Sequence, residues 1–235
     1  MVLSHTAKQI LEEKLRSDLR TIPPILVVPT CTDLQKFVPA EKTNGVKPVR
    51  IVYVGSVGTW YLLREMAEFF KTLRRGIPEA RWTIVTPRPD PLLTETLKTL
   101  DPDAYDVRML THEDVPEVLR DMQVSLCFIK PVSSKRASCP TKVGESLACG
   151  IPVVMTKGVG DCDRLVEKER VGVVVPEFSS RGYQTAVSDL MRLMGEGPAL
   201  AERCRRVAKE HFDLERGVAS YLSFYEALSP MGHRR

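Results

Sequence analysis

The chain has 235 residues, of which 43% are hydrophobic and 27% are charged, and its net charge is +4. This composition is typical of one folded domain with its own core, and it excludes a disordered chain. The longest apolar runs, at 25–28 and 171–175, are of strand length, and Met1 does not open a basic and apolar leader. The sequence therefore excludes a membrane-spanning helix and a secretory signal, and we expect a cytoplasmic protein.

The charged residues argue against nucleic acid as a partner, and the cysteines argue against disulfides and a metal site. Basic residues are spread over 8–20, 74–75, 130–136 and 203–209 without interleaved aromatics, which argues against nucleic-acid binding. The same charges are compatible with a weak attraction to anionic lipid head groups at the inner face of a membrane. The six cysteines form no CxxC pair, which indicates reduced thiols. A metal site built from Cys139, Cys149 and Cys162 is disfavoured because the intervals match no zinc module.

Strand-like and helix-like segments alternate along the chain. In chain order we predict strand 50–55, helix 61–75, strand 81–86, helix 91–100, strand 105–110, helix 113–120, strand 123–129, helix 140–149, strand 151–156, helix 161–167, strand 172–175, and helices 180–193 and 198–211. This alternation predicts an α/β fold, a Rossmann-like doubly wound parallel sheet. Ligands of such sheets bind beyond the carboxyl ends of the strands.

The turn after the first strand reads G-S-V-G-T-W and contains Gly55, Ser56 and Gly58. It lacks the third small residue of G-x-G-x-x-G, and Thr86 stands where a dinucleotide site needs an acidic residue, so a nicotinamide dehydrogenase is disfavoured. The glycines let the backbone approach a phosphate or a sugar closely. For Gly58 alone, a tight strand-to-helix turn is an equally good interpretation.

The stretch from Cys139 to Asp161 is the most informative part of the chain. Pro140 and Gly150 delimit a helix, on which Val143 and Leu147 share one face with Gly150 while Thr141, Lys142 and Glu145 share another. Free backbone N–H groups, a lysine and a hydroxyl at a helix start suit an anion such as a diphosphate, and a carboxylate one turn on suits a ribose diol. The alternative is a surface ion pair between Lys142 and Glu145, with Thr141 as a cap. The helix dipole would also lower the pKa of Cys139.

The pattern P-T-K-x-x-E-x-L-A-x-G-I-P-V-V, followed by T-x-G-x-G-D, resembles the donor-binding half of retaining glycosyltransferases of the GT-B fold. The resemblance extends from an opening helix over 4–19 and a linker strand within 25–39, through 50–70, to a closing helix over 214–228. It implies that 1–30 is a remnant of the N-terminal domain with its linker and that 31–235 is the donor-binding domain. The chain would then be an excised domain, a truncated reading frame or one partner of a split enzyme.

The resemblance implies transfer of a hexose-like sugar from a nucleoside diphosphate sugar to a glycan or lipid-linked acceptor, without a cofactor or metal. It needs an N-terminal acceptor domain, in cis or in trans, and is compatible with peripheral membrane association. Glu145 and Lys142 would be the catalytic residues, on the ribose and the diphosphate. The donor site would comprise Gly55, Ser56, Gly58, Lys135, Arg136, Cys139, Pro140, Thr141, Lys142 and Glu145.

The sequence departs from that family pattern at three places. Ala137 replaces a glutamate that contacts the sugar, and Ser56 and Trp60-Tyr61 stand where two cations bind the diphosphate. We therefore expect Lys142, with Lys135 or Arg136 from the loop 131–138, to contact the phosphates. Trp60 and Tyr61 would stack on a sugar or, more simply, pack.

Two other functions stay open at this stage: a nucleotide-sugar epimerase of GT-B architecture, and a non-catalytic interaction module. An exposed apolar surface on helix 4–19 and on the closing helix would favour a partner domain. That surface would comprise Val218, Tyr221, Leu222, Phe224 and Tyr225 on the closing helix. Asp161 is expected to cap the helix that follows it, and His112 is expected to have no catalytic role. The base, sugar, acceptor, linkage and oligomeric state are left open by the sequence.

Overall fold

The computed structural model describes residues 1–40, 48–58, 60–88 and 90–228. The strands are β1 Arg50–Val54, β2 Arg81–Thr86, β3 Tyr105–Met109, β4 Val124–Cys127, β5 Val153–Thr156 and β6 Gly172–Val175. The helices are α1 His5–Arg16, α2 Leu63–Gly76, α3 Pro91–Leu97, α4 Val115–Arg120, α5 Thr141–Ala148, α6 Cys162–Lys168, α7 Ser180–Met194, α8 Pro198–His211 and α9 Leu214–Leu228. The predicted strand and helix order is confirmed, with ends that differ by a few residues.

The six strands form one parallel sheet in the order β3-β2-β1-β4-β5-β6. The strand order reverses between β1 and β4, which are hydrogen-bonded neighbours. Strands β2 and β3 are added on one side of β1, and β5 and β6 are added on the far side of β4. That reversal is the switch point of a doubly wound sheet, where the loops after the two strands diverge and leave a crevice. The predicted Rossmann-like fold is therefore confirmed, and the crevice lies beyond Gly55.

Apolar side chains fill both faces of the sheet. The central strands β1, β4 and β5 are almost wholly buried, as expected for parallel strands covered by helices on both sides. Helix α2 buries the stripe Met66, Phe69, Phe70 and Leu73 that its spacing predicts. Burial of this apolar surface is the main stabilising contribution to the sheet.

The segment before the sheet differs from the prediction of a linker strand. Residues 25–28 do not join the sheet, and Val27 forms only an isolated parallel bridge with Val2. Pro23, Pro24 and Pro29 flank this segment, and proline has no backbone N–H with which to extend a ladder. Helix α1 is also shorter than predicted, because it ends at Arg16.

Asp161 caps a different helix from the one predicted. Its side chain makes no capping bond to α6. It accepts instead from the backbone N–H groups of His5 and Thr6, at 2.5 and 3.1 Å, and from the Thr6 hydroxyl at 2.6 Å. Although burial raises the pKa of this carboxyl, the bonds from Thr6 and His5 hold it below its usual value. Asp161 thus fastens the N-terminus of α1 to the start of α6.

The closing helix α9 leaves most of its apolar face uncovered. Of its residues, only Gly217 is buried, and Leu222 and Tyr225 are each 58% exposed, with Leu214, Val218 and Leu228 exposed as well. On α1, Ile10 is exposed too. Of the five residues expected to form an apolar surface on the closing helix, Val218, Leu222 and Tyr225 are exposed as expected, whereas Tyr221 and Phe224 are half-buried. In the part of the chain that the structure describes, no helix is long and apolar enough to cross a bilayer.

Candidate functional site

Three segments of the chain meet at the carboxyl ends of β1 and β4 and form the candidate site. Gly55 directly follows β1, the segment Trp60-Tyr61 returns across the end of β4, and α5 begins after the loop that follows β4. The backbone fixes this arrangement, because Lys130 N–H donates to the Trp60 carbonyl at 2.8 Å and Leu62 N–H donates to the Phe128 carbonyl at 3.0 Å. The site therefore lies in the crevice of the switch point.

Helix α5 is buried on both of its faces. Val143 and Leu147 are buried as predicted, but Lys142 and Glu145 are also buried, at 8% and 6% exposed. Their alternative interpretation as a surface ion pair is therefore wrong, and so is Thr141 as a cap, since no side chain caps this helix start among the described residues. The close packing depends on Gly144, where a Cβ would lie 3.0 Å from the Phe212 side chain.

The ammonium group of Lys142 has no hydrogen-bond partner among the described residues, although it is buried. Its Nζ lies 3.7 Å from the ring centroid of Tyr61 and 4.9 Å from that of Tyr53. Burial lowers the pKa of Lys142 from 10.5 to about 8, and the cation–π contacts only partly replace the lost hydration. An anion could satisfy this charge.

The ammonium group of Lys142 lies directly against Gly55. A Cβ built on Gly55 would lie 2.6 Å from Lys142 Nζ, and the φ of +144° at Gly55 disfavours any other residue. The adjacent turn is fixed by the Tyr53 hydroxyl, which donates to the Ser56 carbonyl at 2.6 Å. Lys142 Nζ thus packs against the bare backbone of Gly55, a close approach that only a residue without a Cβ allows.

Glu145 lies one turn further along α5 and pairs with a residue from another loop. Its Oε1 lies 2.7 Å from Nε2 of His112, which follows β3. The His112 side chain is 71% exposed and the Glu145 side chain 8% exposed. The His112 ring leans on Phe37, with ring centroids 5.7 Å apart. His112 was expected to be a plain loop residue, and no local pattern links it to Glu145, which is 33 positions away.

The loop before α5 holds two further cations of the predicted site. Lys135 and Arg136 lie in a short 3₁₀ turn, Ser133–Ala137. Nζ of Lys135 lies 4.7 Å from the ring centroid of Trp60, which is 42% exposed, and Arg136 is exposed. Tyr61 therefore packs against Lys142, and Trp60 packs against Lys135. Of the two predicted roles of these rings, the structure shows packing.

Cys139 and Pro140, also predicted for the site, immediately precede helix α5. Cys139 is buried, its Sγ lies 3.8 Å from Sγ of Cys162, and it accepts from the Thr30 hydroxyl at 3.2 Å. Hydrogen bonding to Cys162, and then to Thr30, lowers the pKa of Cys139 to about 7. The direction agrees with the prediction, but the cause is these bonds rather than the helix dipole. Among the residues that the structure describes, no three His, Cys, Asp or Glu side chains are grouped so as to hold a metal ion.

The strand order and the crevice define a Rossmann-like domain, and a family match identifies it further. Residues 48–193 match the model of the glycosyl transferases group 1 family. This is more than half of the chain, so the protein belongs to that family. Among curated proteins, no sequence matches the chain.

Solved structures of glycosyltransferases share this fold. Sucrose-phosphate synthase from Thermosynechococcus elongatus is 18% identical, with a TM-score of 0.68 over 97% of this chain and 57% of that one. The pneumococcal O-GlcNAc transferase GtfA, in complex with UDP and GlcNAc, is 14% identical, with a TM-score of 0.72 over 96% and 44%. The chain thus spans about half the length of these two structures. The C-terminal domain of LpcC, a group 1 glycosyl transferase from Francisella tularensis, is 16% identical, with a TM-score of 0.59 over 78% and 99%. The fold is that of the C-terminal domain of a GT-B glycosyltransferase.

Proposed function

We propose that this chain is the donor-binding domain of a glycosyltransferase that acts on a nucleoside diphosphate sugar. The sugar would pass, with retention of configuration, to a glycan or lipid-linked acceptor, as in polysaccharide biosynthesis in the cytoplasm. The observation that carries the proposal is the buried ammonium of Lys142, which faces Gly55 without a hydrogen-bond partner among the described residues.

A diphosphate fits the chemistry of that position. A buried charge without a partner costs several kcal/mol, and an anion that contacts it recovers part of this cost. The uncapped start of α5 adds backbone N–H groups and the positive end of the helix dipole. Thr141 begins this helix, directly after Cys139 and Pro140. Ser56 and Gly58 lie in the turn that follows β1. Lys135 and Arg136 would close over the phosphates from the loop before α5.

The same residues would assist the transfer step. When the bond between the sugar and the diphosphate breaks, negative charge develops on the leaving diphosphate. Lys142 and the start of α5 would stabilise that charge without a metal ion, because they are fixed in place before the reaction. Glu145 would accept hydrogen bonds from the ribose hydroxyls and so hold the donor in register.

An acceptor-side domain, in cis or in trans, completes the proposal. The exposed apolar residues of α9, among them Val218, Leu222 and Tyr225, suit a packed contact with another domain. Donor binding needs only the crevice described above, whereas transfer needs groups that face the sugar from the other side. We therefore expect the chain alone to bind a donor nucleotide and to transfer sugar inefficiently.

Calorimetric titration tests donor binding. UDP, GDP, ADP and CMP are titrated into the wild-type chain, into Lys142→Met and into Lys168→Met, which removes a lysine whose side chain is 82% exposed. We expect one nucleoside diphosphate to bind, Lys142→Met to weaken it by at least about tenfold, as for loss of one charge-assisted contact, and Lys168→Met to have no effect. Chelator should leave the affinity unchanged.

Three results would contradict the proposal or one of its parts. If none of the four nucleotides binds, the crevice is not a donor site. If a nucleotide binds equally well to Lys142→Met, the buried lysine is not its phosphate ligand. Efficient sugar transfer by the purified chain alone would contradict the need for a second domain.

A further inference from the structure

The hydrogen bond between His112 and Glu145 links an exposed loop residue to a buried carboxylate at the candidate site. An ionised carboxylate only accepts hydrogen bonds, so Nε2 of His112 carries the proton in this contact, at 2.7 Å. Among the described residues, no other hydrogen-bond donor reaches the Glu145 carboxylate. The orientation of this carboxylate therefore depends on His112.

We propose that His112 is a positioning residue that orients the Glu145 carboxylate towards the ribose of the donor and so gives the site its preference for ribonucleotides. The inference rests on the proposed donor-binding function. It assigns a role to a side chain that lies on a different loop from the helix start and from the phosphate-binding cations.

The Glu145 carboxylate can accept hydrogen bonds from His112 and from the ribose at the same time. Its two oxygens offer about four lone-pair positions, of which His112 occupies one on Oε1. Oε2 and the remaining position on Oε1 are left for two ribose hydroxyls. Because the bond from His112 fixes the plane of the carboxylate, these positions point in one direction before the donor arrives, which reduces the entropy lost on binding.

The His112 ring is itself held from behind. Phe37, which is 2% exposed, contacts the ring, and the Phe37 carbonyl accepts from Arg205 Nη1 at 2.6 Å. The same Nη1 donates to the Ala148 carbonyl at the end of α5, at 2.8 Å. One guanidinium group thus fixes both the helix that carries Glu145 and the ring behind His112.

A structural role alone does not explain the arrangement. With a side chain that is 71% exposed, His112 buries little surface, so its removal should change the stability of the fold only slightly. What its removal changes is the partner of a carboxylate that is otherwise almost fully buried. The effect should therefore appear in recognition of the ribose and not in folding.

The test compares a ribonucleoside diphosphate with its 2′-deoxy analogue by titration. The base is the one that the wild-type chain binds, and the variants are His112→Ala, His112→Asn and His112→Gln. The amide of glutamine can place an N–H near the position of Nε2, whereas the shorter asparagine cannot reach it. Glu145→Ala, which removes the carboxylate itself, shows the preference that remains without it.

We expect the wild-type chain to prefer the ribonucleotide by about tenfold, as for one charge-assisted hydrogen bond. His112→Ala and His112→Asn should lose most of this preference while binding the 2′-deoxy analogue as the wild type does, and His112→Gln should retain it. The melting temperatures of the three His112 variants should lie within about 2 °C of the wild-type value, since the exposed His112 side chain buries little surface.

Two outcomes would overturn the inference. In the first, His112→Ala keeps the wild-type preference for the ribonucleotide at unchanged affinity. In the second, His112→Ala lowers the affinity for the ribonucleotide and for its 2′-deoxy analogue by the same factor. If either occurs while Lys142→Met still weakens nucleotide binding, the inference fails and the proposed function stands. If the wild-type chain binds no nucleoside diphosphate, both fail together.

Discussion

Replacing Lys142 by methionine is expected to make the ligand-free protein more stable while it weakens nucleotide binding. Burial lowers the pKa of Lys142 from 10.5 to about 8, and a shift of that size corresponds to a cost of roughly 3 kcal/mol for keeping the group charged at pH 7. Methionine has a similar length and carries no charge. Because the cation–π contacts with Tyr61 and Tyr53 are lost with the ammonium, we expect a net gain of about 1–3 kcal/mol in the free energy of unfolding.

The gain should depend on pH in a defined direction. Below pH 8 the folded wild-type protein carries the charge at full cost. Between pH 8 and 10.5 the folded state releases the proton while the unfolded state keeps it, so the wild-type stability rises with pH through this window. The stability difference between Lys142→Met and the wild type should therefore be largest below pH 8 and should shift by roughly 3 kcal/mol in favour of the wild type by pH 10.5.

Urea unfolding at several pH values measures this difference. Lys168→Met, which removes an exposed charge, should stay within about 0.5 kcal/mol of the wild type at every pH. A loss of stability in Lys142→Met at pH 7 would mean that the buried ammonium stabilises the fold, and it would remove the reason to assign an anion to this position.

Replacing Arg205 by methionine is expected to cause a large loss of stability. The Arg205 guanidinium donates to the carbonyls of Leu34, Phe37 and Ala148, at 2.7, 2.6 and 2.8 Å. Methionine fills much of the same space but leaves these acceptors without their donor. Each bond to a charged group contributes about 1.5–3 kcal/mol, and removal of the half-buried charge offsets part of their loss, so we expect a net loss of about 2–4 kcal/mol.

The neighbouring Arg206 provides the matched control. It forms surface ion pairs with Glu169 and Glu210, and such exposed pairs contribute at most about 1 kcal/mol. Arg206→Met should therefore unfold within about 1 kcal/mol of the wild type. If Arg205→Met and Arg206→Met lose the same small amount, Arg205 does not hold the end of α5 to the loop of Phe37, and that support for His112 is absent.

The sheet could be predicted from the sequence because its signals are local. Apolar runs of strand length alternate with helical spacing, and each of the six strands of the sheet coincides with a predicted one within three residues at either end. The start and end of α5 were also predictable, since Pro140 and Gly150 act on the backbone next to them. Such signals do not depend on what the rest of the chain does.

The surroundings of the site could not be predicted in the same way, because they are made by residues far apart in the chain. Lys142 and Glu145 have the spacing of a surface ion pair, but both are buried by residues distant in the chain, such as Tyr61 against Lys142. The bond between His112 and Glu145 joins a loop to helix α5, and the capping of α1 by Asp161 spans 155 positions. No periodicity encodes contacts of this kind.

The most direct test of the account is a crystal structure of the chain with the nucleoside diphosphate that binds in the titration. We expect a phosphate oxygen within hydrogen-bond distance of Lys142 Nζ, beside Gly55, and a ribose hydroxyl on the Glu145 carboxylate. A nucleotide whose phosphates contact only Lys135 and Arg136, with Lys142 still over the Tyr61 ring, would contradict it, and so would a nucleotide bound outside the crevice between β1 and β4.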